Sequence, residues 1–193
     1  MCNASDGTVG DTAPRLSVPQ GQAQLAGWCT VSSPLILGFD LANETEYDRW
    51  FPFLSNTLAL KIQAAWAGSA GRLVSSGPTF RTRVPHGTTC EDMKDTRDLP
   101  EWTVWSKPLS STAVAALVLN TRQDKPANVT VSLADLGVRS AGSAVKETEV
   151  WSGKVAALQP SATDLRVPLP PGGHRWVVLD DGGAPAEMSS GKW

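Results

Sequence analysis

The sequence predicts an α/β segment followed by an all-β domain. Three observations carry this. Apolar residues recur at helical spacing up to Trp66, and a short, continuously apolar run, PLILGF, lies between two such stretches. Beyond Pro100 the apolar period changes to two. The expected organisation is an α/β portion over 1–76, a linker or insertion over 77–100, an antiparallel β-sandwich over 101–181 and a mobile tail over 182–193.

Met1 to Arg15 is a Gly/Asp/Thr/Pro stretch without periodicity and reads as loop. Leu16 to Val31 places Val18, Leu25, Trp28 and Cys29 at near-helical spacing, with Ser17 as N-cap and Pro19 in the first turn. Pro34 to Phe39 then suits a parallel strand buried on both faces, because nothing in it alternates. Leu54, Leu58, Ile62, Ala65 and Trp66 recur at i, i+4, i+8, i+11 and i+12, so a helix is expected over Leu54 to Trp66 with Gly68 as its C′ residue. Gly77 to Pro100, with Pro78, Pro85, Gly87 and a mixed-charge run, reads as the linker or insertion. In the last part, Ser111 to Leu119 is almost wholly apolar. Val129, Val131 and Leu133 alternate with polar residues, as do Leu165, Val167 and Leu169, and Trp176 to Leu179 ends the series. Short strands between Gly/Pro/Asp turns make a sandwich the architecture of Trp102 to Asp180.

Composition narrows the function. The chain has 193 residues, 41% apolar and 19% charged, with a formal net charge of −2. No Lys/Arg run offers an electrostatic footprint for nucleic acid or an anionic membrane, so neither is expected as a partner. No apolar run reaches the roughly 20 residues of a membrane helix, and Met1 to Ala26 lacks the apolar centre of a signal peptide. Cys2, Cys29 and Cys90 have no C-x-x-C spacing, and His86 with Cys90 lacks a second pair of ligands, so no metal and no cofactor are expected. Cys29 reads as a buried thiol. Sequons at Asn3, Asn43 and Asn128 make these glycosylation candidates, with chance matches as the alternative. Of the eight tryptophans, Trp28, Trp66, Trp151 and Trp176 take core-facing positions, where burial is the default.

The stretch WCTVSSPLILGFDLAN, Trp28 to Asn43, resembles the last barrel strand of the clan D α-galactosidases, the melibiase-type glycoside hydrolases of family twenty-seven, through Trp28, Pro34, Leu35, Asp40 and Leu41. LSNTLALKIQAAW, Leu54 to Trp66, is similar to that family's closing barrel helix. VWSKPL at Val104 to Leu109, Val150-Trp151 and Pro170 to His174 resemble the entry strand, a D-L-W-like strand and the P-P-x-G-like turn of its C-terminal sandwich. The resemblance implies the terminal fragment of a β/α (TIM) barrel followed by an antiparallel β-sandwich. A full barrel takes about 250 residues and eight strands, and this chain offers one barrel strand.

A retaining glycosidase needs two carboxylates about 5 to 5.5 Å apart. In the family resembled, both stand on barrel loops before the strand at Pro34. Asp6, in DGTVG, falls near the acid/base position but lacks the family's Met-Leu pair, and reads either as a degenerate remnant or as a plain loop aspartate. Tyr47-Asp48 has the nucleophile's dipeptide without its strand end and reads as a solvated charge. Asp40 matches the family's D-L after the strand, where it either lines the rim of a sugar site or braces the loop. The resemblance implies hydrolysis of terminal α-galactosides, a carbohydrate partner and a secreted or lysosomal/vacuolar setting, with the chain alone inactive. The alternative is a non-catalytic sandwich that binds or supports.

Overall fold

A computed structural model describes residues 16–38, 41–83, 96–139 and 144–182. Met1 to Arg15, with Asn3 and Asp6, lies outside the described residues, as do Phe39, Asp40 and the tail from 183.

The chain opens with α1 (Val18–Thr30). Ser17 and Gln20 form a reciprocal capping box, the Ser17 hydroxyl accepting from the Gln20 amide at 3.4 Å and the Gln20 side chain accepting from the Ser17 amide at 2.8 Å. Its exit is a Schellman turn. The Ser33 amide donates to the Trp28 carbonyl at 2.9 Å and the Ser32 amide to the Cys29 carbonyl at 3.4 Å. Ser32, at φ +57°, holds the left-handed position that glycine ordinarily fills. Two further helices follow, α2 (Glu44–Leu54) and α3 (Thr57–Ala64).

The remaining chain is mainly strands: β1 (Arg72–Ser76), β2 (Thr79–Arg83), β3 (Thr96–Pro100), β4 (Trp102–Pro108), β5 (Ala113–Asn120) and β6 (Ala127–Ser132). After the short α4 (Leu133–Leu136) come β7 (Lys146–Glu149), β8 (Val155–Ala157), β9 (Asp164–Leu169) and β10 (His174–Asp180). A six-stranded sheet runs β1-β4-β5-β10-β7-β8, all pairs antiparallel, and β6 with β9 forms a two-stranded sheet.

The six-stranded sheet is covered on both faces, which explains why β5, AVAALVLN, carries no polar alternation. Val114, Ala116 and Val118 face the β6/β9 sheet, joining Val129, Val131, Leu165 and Val167 in one core. Ala115 and Leu117 face the helices, joining Leu25, Cys29, Ile62 and Trp176 in a second. Three layers result, helices on sheet on sheet, each fully buried Val, Leu or Ile side chain contributing about 1.5 to 3 kcal/mol by leaving water. The period-two readings at Val129/Val131 and Leu165/Val167/Leu169 hold residue for residue, since Val129 pairs with Val167 and Val131 with Leu165.

Four local expectations fail. Pro34 to Gly38 forms no strand: no backbone hydrogen bond joins it to a neighbour, and Ile36 is 77% exposed. A strand buried on both faces requires flanking strands, and among the described residues none runs beside it. The expected helix Leu54 to Trp66 is interrupted. Leu54 closes α2, Asn56 caps α3, and Ala65 ends it in extended backbone, so that Gly68, at φ +91°, belongs to a later turn. Trp28 and Trp66 are 38% and 64% exposed rather than buried. Val150-Trp151 lies in the turn after β7, not in a strand.

The segment read as linker carries paired structure. β2 and β3 form an antiparallel ribbon from Thr79↔Pro100 to Arg83↔Thr96. β1, N-terminal to that segment, pairs with β4 through a bulge between Leu73 and Ser75 and so extends the sandwich sheet.

Candidate functional site

Three sets of residues carry polar or open geometry beyond what the sandwich core needs. The first is the helical front. Gly21 lets α2 approach α1 so closely that a Cβ there would lie 2.1 Å from the Trp50 ring. The Trp50 indole donates to Glu46 at 2.8 Å. Beside this contact, Leu25, Trp28, Ile36, Leu37, Trp50 and Phe53 line an apolar groove of about 290 Å³. Asp40 would follow Ile36–Gly38 but lies outside the described residues. Asp48, in α2, is exposed on a helix and stands at no strand end, so the Tyr47-Asp48 pair is without the setting of a nucleophile. Asn43 caps α2, its side-chain oxygen accepting from the Glu46 amide at 3.2 Å.

The second set joins helices to sheet. Lys107 sits on the helix-facing side of β4 in register with Ala115, and is fully buried. Its ammonium donates to the Cys29 carbonyl at 3.1 Å, the Ile62 carbonyl at 2.5 Å and the Gln63 carbonyl at 3.1 Å. These carbonyls belong to the last turns of α1 and α3, where intrahelical donors run out and the helix dipole is negative. One cation therefore closes two helix ends. Burial pulls the Lys107 pKa below its ordinary value, and burial pushes the neighbouring Cys29 thiol up to about 11. Asn56 is a second tie. Its oxygen caps α3 through the Ala59 amide at 2.9 Å, and its amide reaches the Val150 carbonyl at 3.1 Å.

The third set is a polar cleft of about 480 Å³ on the sandwich, where Glu147, Glu149, Lys154, His174 and Arg175 face one another. Its acids are already engaged. Glu147 pairs with Arg175, and Glu149 accepts from both the Ser152 amide and hydroxyl at 2.6 Å. The Trp151 indole donates to His174 Nε2 at 2.9 Å, which fixes the proton of the neutral imidazole on Nδ1. That Nδ1 is buried without a partner. Burial lowers the His174 pKa, with Glu149 opposing.

The sequence singled out none of Lys107, Asn56 as a cap, or the Trp151–His174 pair. A signal existed for the first: a lysine in the same alternating phase of its strand as Trp105 and Thr103, a face with no other charge. Asn128 lies exposed on β6, as the sequon reading requires. Among the described residues no group of three His, Cys, Asp or Glu could hold a metal ion, and no helix is long and apolar enough to cross a membrane.

The turn at Pro170–Gly173 places Gly172 at φ +62°. Over residues 100–179 the chain fits the family described as the alpha galactosidase C-terminal beta sandwich domain. Residues 100–179 are an α-galactosidase C-terminal β-sandwich. The alpha-N-acetylgalactosaminidase of Gallus gallus is 27% identical over 158 residues, which is 82% of this chain and 33% of that protein. The chain thus spans about a third of the length of this curated relative. Alpha-galactosidase I from Mortierella vinacea superposes with a TM-score of 0.64 at 14% identity, over 91% of this chain and 39% of its own. A GH27 β-L-arabinopyranosidase variant from Geobacillus stearothermophilus, solved in complex with arabinose, gives 0.65 at 19% identity over 92% and 36%. Because these superpositions cover about nine-tenths of the chain, they take in helices that precede the α-galactosidase sandwich as well as the sandwich itself.

Proposed function

We propose that the chain serves a glycoside hydrolase of the α-galactosidase or α-N-acetylgalactosaminidase type, as the sandwich and the last barrel-side helices rather than as the carrier of the catalytic acids. The observation that supports this most is the continuity of helices and sandwich across the sheet. The layer that would abut a catalytic barrel is tied by Lys107 and Asn56 to the sandwich whose family is known. A free-standing sandwich would need no such ties. In the complete enzyme, terminal α-linked galactose or N-acetylgalactosamine is the substrate class, and Asp40 is the residue of this chain that the family resemblance assigns to sugar binding.

The chemistry asks for two carboxylates about 5 to 5.5 Å apart, one to attack the anomeric carbon and one to protonate the leaving oxygen. Glu147 and Glu149 do not qualify, since each is held by its own partner on the sandwich. The purified 193-residue chain is therefore expected to leave p-nitrophenyl α-galactoside and its N-acetylgalactosaminide intact. Turnover above buffer that disappears in Asp6→Asn or Asp48→Asn would overturn this assignment of roles. A second reading, a sandwich that only binds or supports, draws on the closed core between β5 and the β6/β9 sheet. Restored hydrolysis on joining the chain to a barrel portion would exclude it.

A further inference from the structure

The side of the six-stranded sheet that meets β6 and β9 is apolar along β5 and charged at its β7–β8 end. Glu147 lies opposite Leu179 and Glu149 opposite Val177, two members of the inter-sheet core, so both carboxylates leave β7 on the core side. Arg175 shares the phase of Val177 and Leu179 on β10, and Ala156 lies opposite Glu147 on β8. The Glu149 amide donates to the Lys154 carbonyl at 2.8 Å, which extends that pairing and brings Lys154 to the same side. Strands sit about 4.8 Å apart, so the two-stranded β6/β9 sheet cannot roof all six. The cleft of about 480 Å³ is the uncovered remainder, and its size is that of a small-molecule site.

Four charges of both signs converge there, yet they are only half paired. The Glu147 side chain is 6% exposed, and one of its oxygens is held by Arg175. One oxygen of Glu149 takes both bonds from Ser152. Among the described residues, the second oxygen of each acid meets no donor, and neither is sealed from solvent. Lys154 is exposed and forms no ion pair with either acid. Open acceptors and an open cationic donor thus stand beside an apolar wall of Ala156, Leu169 and Pro170.

We propose that this cleft binds a neutral polyhydroxylated ligand, a pyranose ring, with Lys154, Glu149 and Glu147 as its polar contacts. The charge balance selects the class. Two carboxylates and two cations leave the charged lining without net charge, so neither an anion nor a cation gains from the site as a whole. A hydroxyl donates and accepts at once. Vicinal hydroxyls therefore donate to Glu149 and accept from Lys154 without bringing a charge that must be desolvated. The C–H face of the ring then meets Ala156, Leu169 and Pro170. An amino-acid zwitterion satisfies the same two groups, but it gives up the hydration of two full charges. Galactose is chosen as probe on the glycoside-hydrolase reading above, whereas the polyol class rests on the lining alone.

Titration of the isotope-labelled 193-residue chain with galactose, followed by amide NMR shifts, tests this. Saturable shifts are expected at 147–149, 152–156 and 168–175, with a millimolar Kd because an open cleft makes few contacts. Lys154→Met should raise that Kd by about tenfold, as loss of one hydrogen bond to a charged group does. Glu149→Gln should raise it less, since an amide oxygen still accepts, though more weakly. Lys61→Met, at an exposed lysine on α3, should leave it unchanged. Shifts that do not saturate, that survive Lys154→Met, or that stay within 16–66 overturn the proposal. If Glu149→Gln disturbs the urea transition, Lys154→Met decides alone, because it removes an exposed ammonium that holds nothing in place. Two further ligands fix the class. Glycine should leave the cleft unmoved and galacturonate should bind no tighter than galactose; the reverse in either case replaces the polyol with a zwitterion or an anion. Binding is read on a chain expected to be inactive, so the two readings fail separately. Hydrolysis restored by a barrel portion without galactose binding here sinks the cleft alone, and binding here without turnover sinks only the catalytic reading.

Discussion

Two apolar runs of similar composition have opposite fates. AVAALVLN becomes β5, paired to β4 and β10 on its two edges and covered by a core on each face. PLILGF is equally free of alternation, yet its described part, Pro34 to Gly38, pairs with nothing and leaves Ile36 77% exposed. The difference lies in neighbours, not propensity. A continuously apolar strand states what environment it requires, and only tertiary structure states whether that environment is present.

The comparison is broken most forcefully by placing one charge in each region. Val131→Asp puts a carboxylate into the core between the two sheets, where Val131 is 4% exposed. An unpaired buried charge costs several kcal/mol, on the order of the whole stability of a domain this size. The expected outcome is loss of the cooperative urea transition. Ile36→Asp should shift the transition of the same isolated chain by no more than about 0.5 kcal/mol, as at other exposed positions. Equal losses at the two sites would mean that 34–38 is already packed.

Lys107 sharpens the contrast by asking what holds the helical front on the sheet at all. Lys107→Met keeps most of the volume and leaves the Ile62 and Gln63 carbonyls without their donor, while the Cys29 carbonyl keeps the Ser32 amide. Each unsatisfied buried acceptor costs about 1 to 3 kcal/mol, offset in part because an ammonium no longer has to be desolvated. A net loss of roughly 2 to 4 kcal/mol follows from those terms. Limited proteolysis should then cut within 16–66 while the sandwich stays resistant. Lys107→Arg should rescue poorly, since a planar guanidinium cannot direct three donors from a single nitrogen at three carbonyls.

The sandwich was the more legible half in the sequence because a sheet with one buried face writes its period directly. Leu165, Val167 and Leu169 need nothing but alternation to be placed. The capping box of α1 was half legible, Ser17 and Pro19 being local signals. Helix α2 was not. Its residues include no buried side chain, Pro52 lies inside it, and its cap at Asn43 sits within a sequon that draws attention to a different property. In α3 the apolar period runs through Leu54 as if no break occurred, and only the Asn56 side chain, committed both to the Ala59 amide and to the Val150 carbonyl in the turn after β7, marks the true start. Lys107 escaped because its partners are backbone carbonyls 44 to 78 residues away. Asp6 and Asp40, the acids on which the site reading turned, lie outside the described residues.

The His174 cleft offers a pH test that separates the sandwich from the front. Burial holds the His174 pKa below its ordinary 6.5, so the unfolded chain binds its proton first as pH falls. The stabilising contribution is complete above about pH 6.5 and is lost as pH drops through the lower, folded value. Protonation at Nε2 would also displace the Trp151 indole, which needs that nitrogen as acceptor. Unfolding free energy from urea titrations should therefore decline below pH 6.5, and His174→Gln should flatten that decline. An unchanged slope in the variant would assign the acid sensitivity to other groups.

The smallest expected change is a gain, and it lies where α1 leaves the helical layer for the unpaired segment. Ser32 occupies the C′ position of the Schellman turn at φ +57°. An L-residue pays for the left-handed region through its Cβ, by about 1 to 2 kcal/mol, whereas glycine has none. The Ser32 hydroxyl brings no compensation, being buried without a hydrogen-bond partner. Glycine would forfeit some stability through its freer unfolded chain, by roughly 0.5 to 1 kcal/mol. Relief of the backbone and removal of the orphaned hydroxyl together exceed that loss, so Ser32→Gly should stabilise the isolated chain by about 1 kcal/mol in urea titration. Ser32→Ala separates the two causes, because it deletes the hydroxyl and keeps the Cβ. If Ala matches Gly, the buried hydroxyl was the whole cost; if Ala gains less, the left-handed backbone contributes. If neither variant gains, the turn that leads into 34–38 is not held in this geometry in the isolated chain, and the front layer loosens one element further back than Pro34.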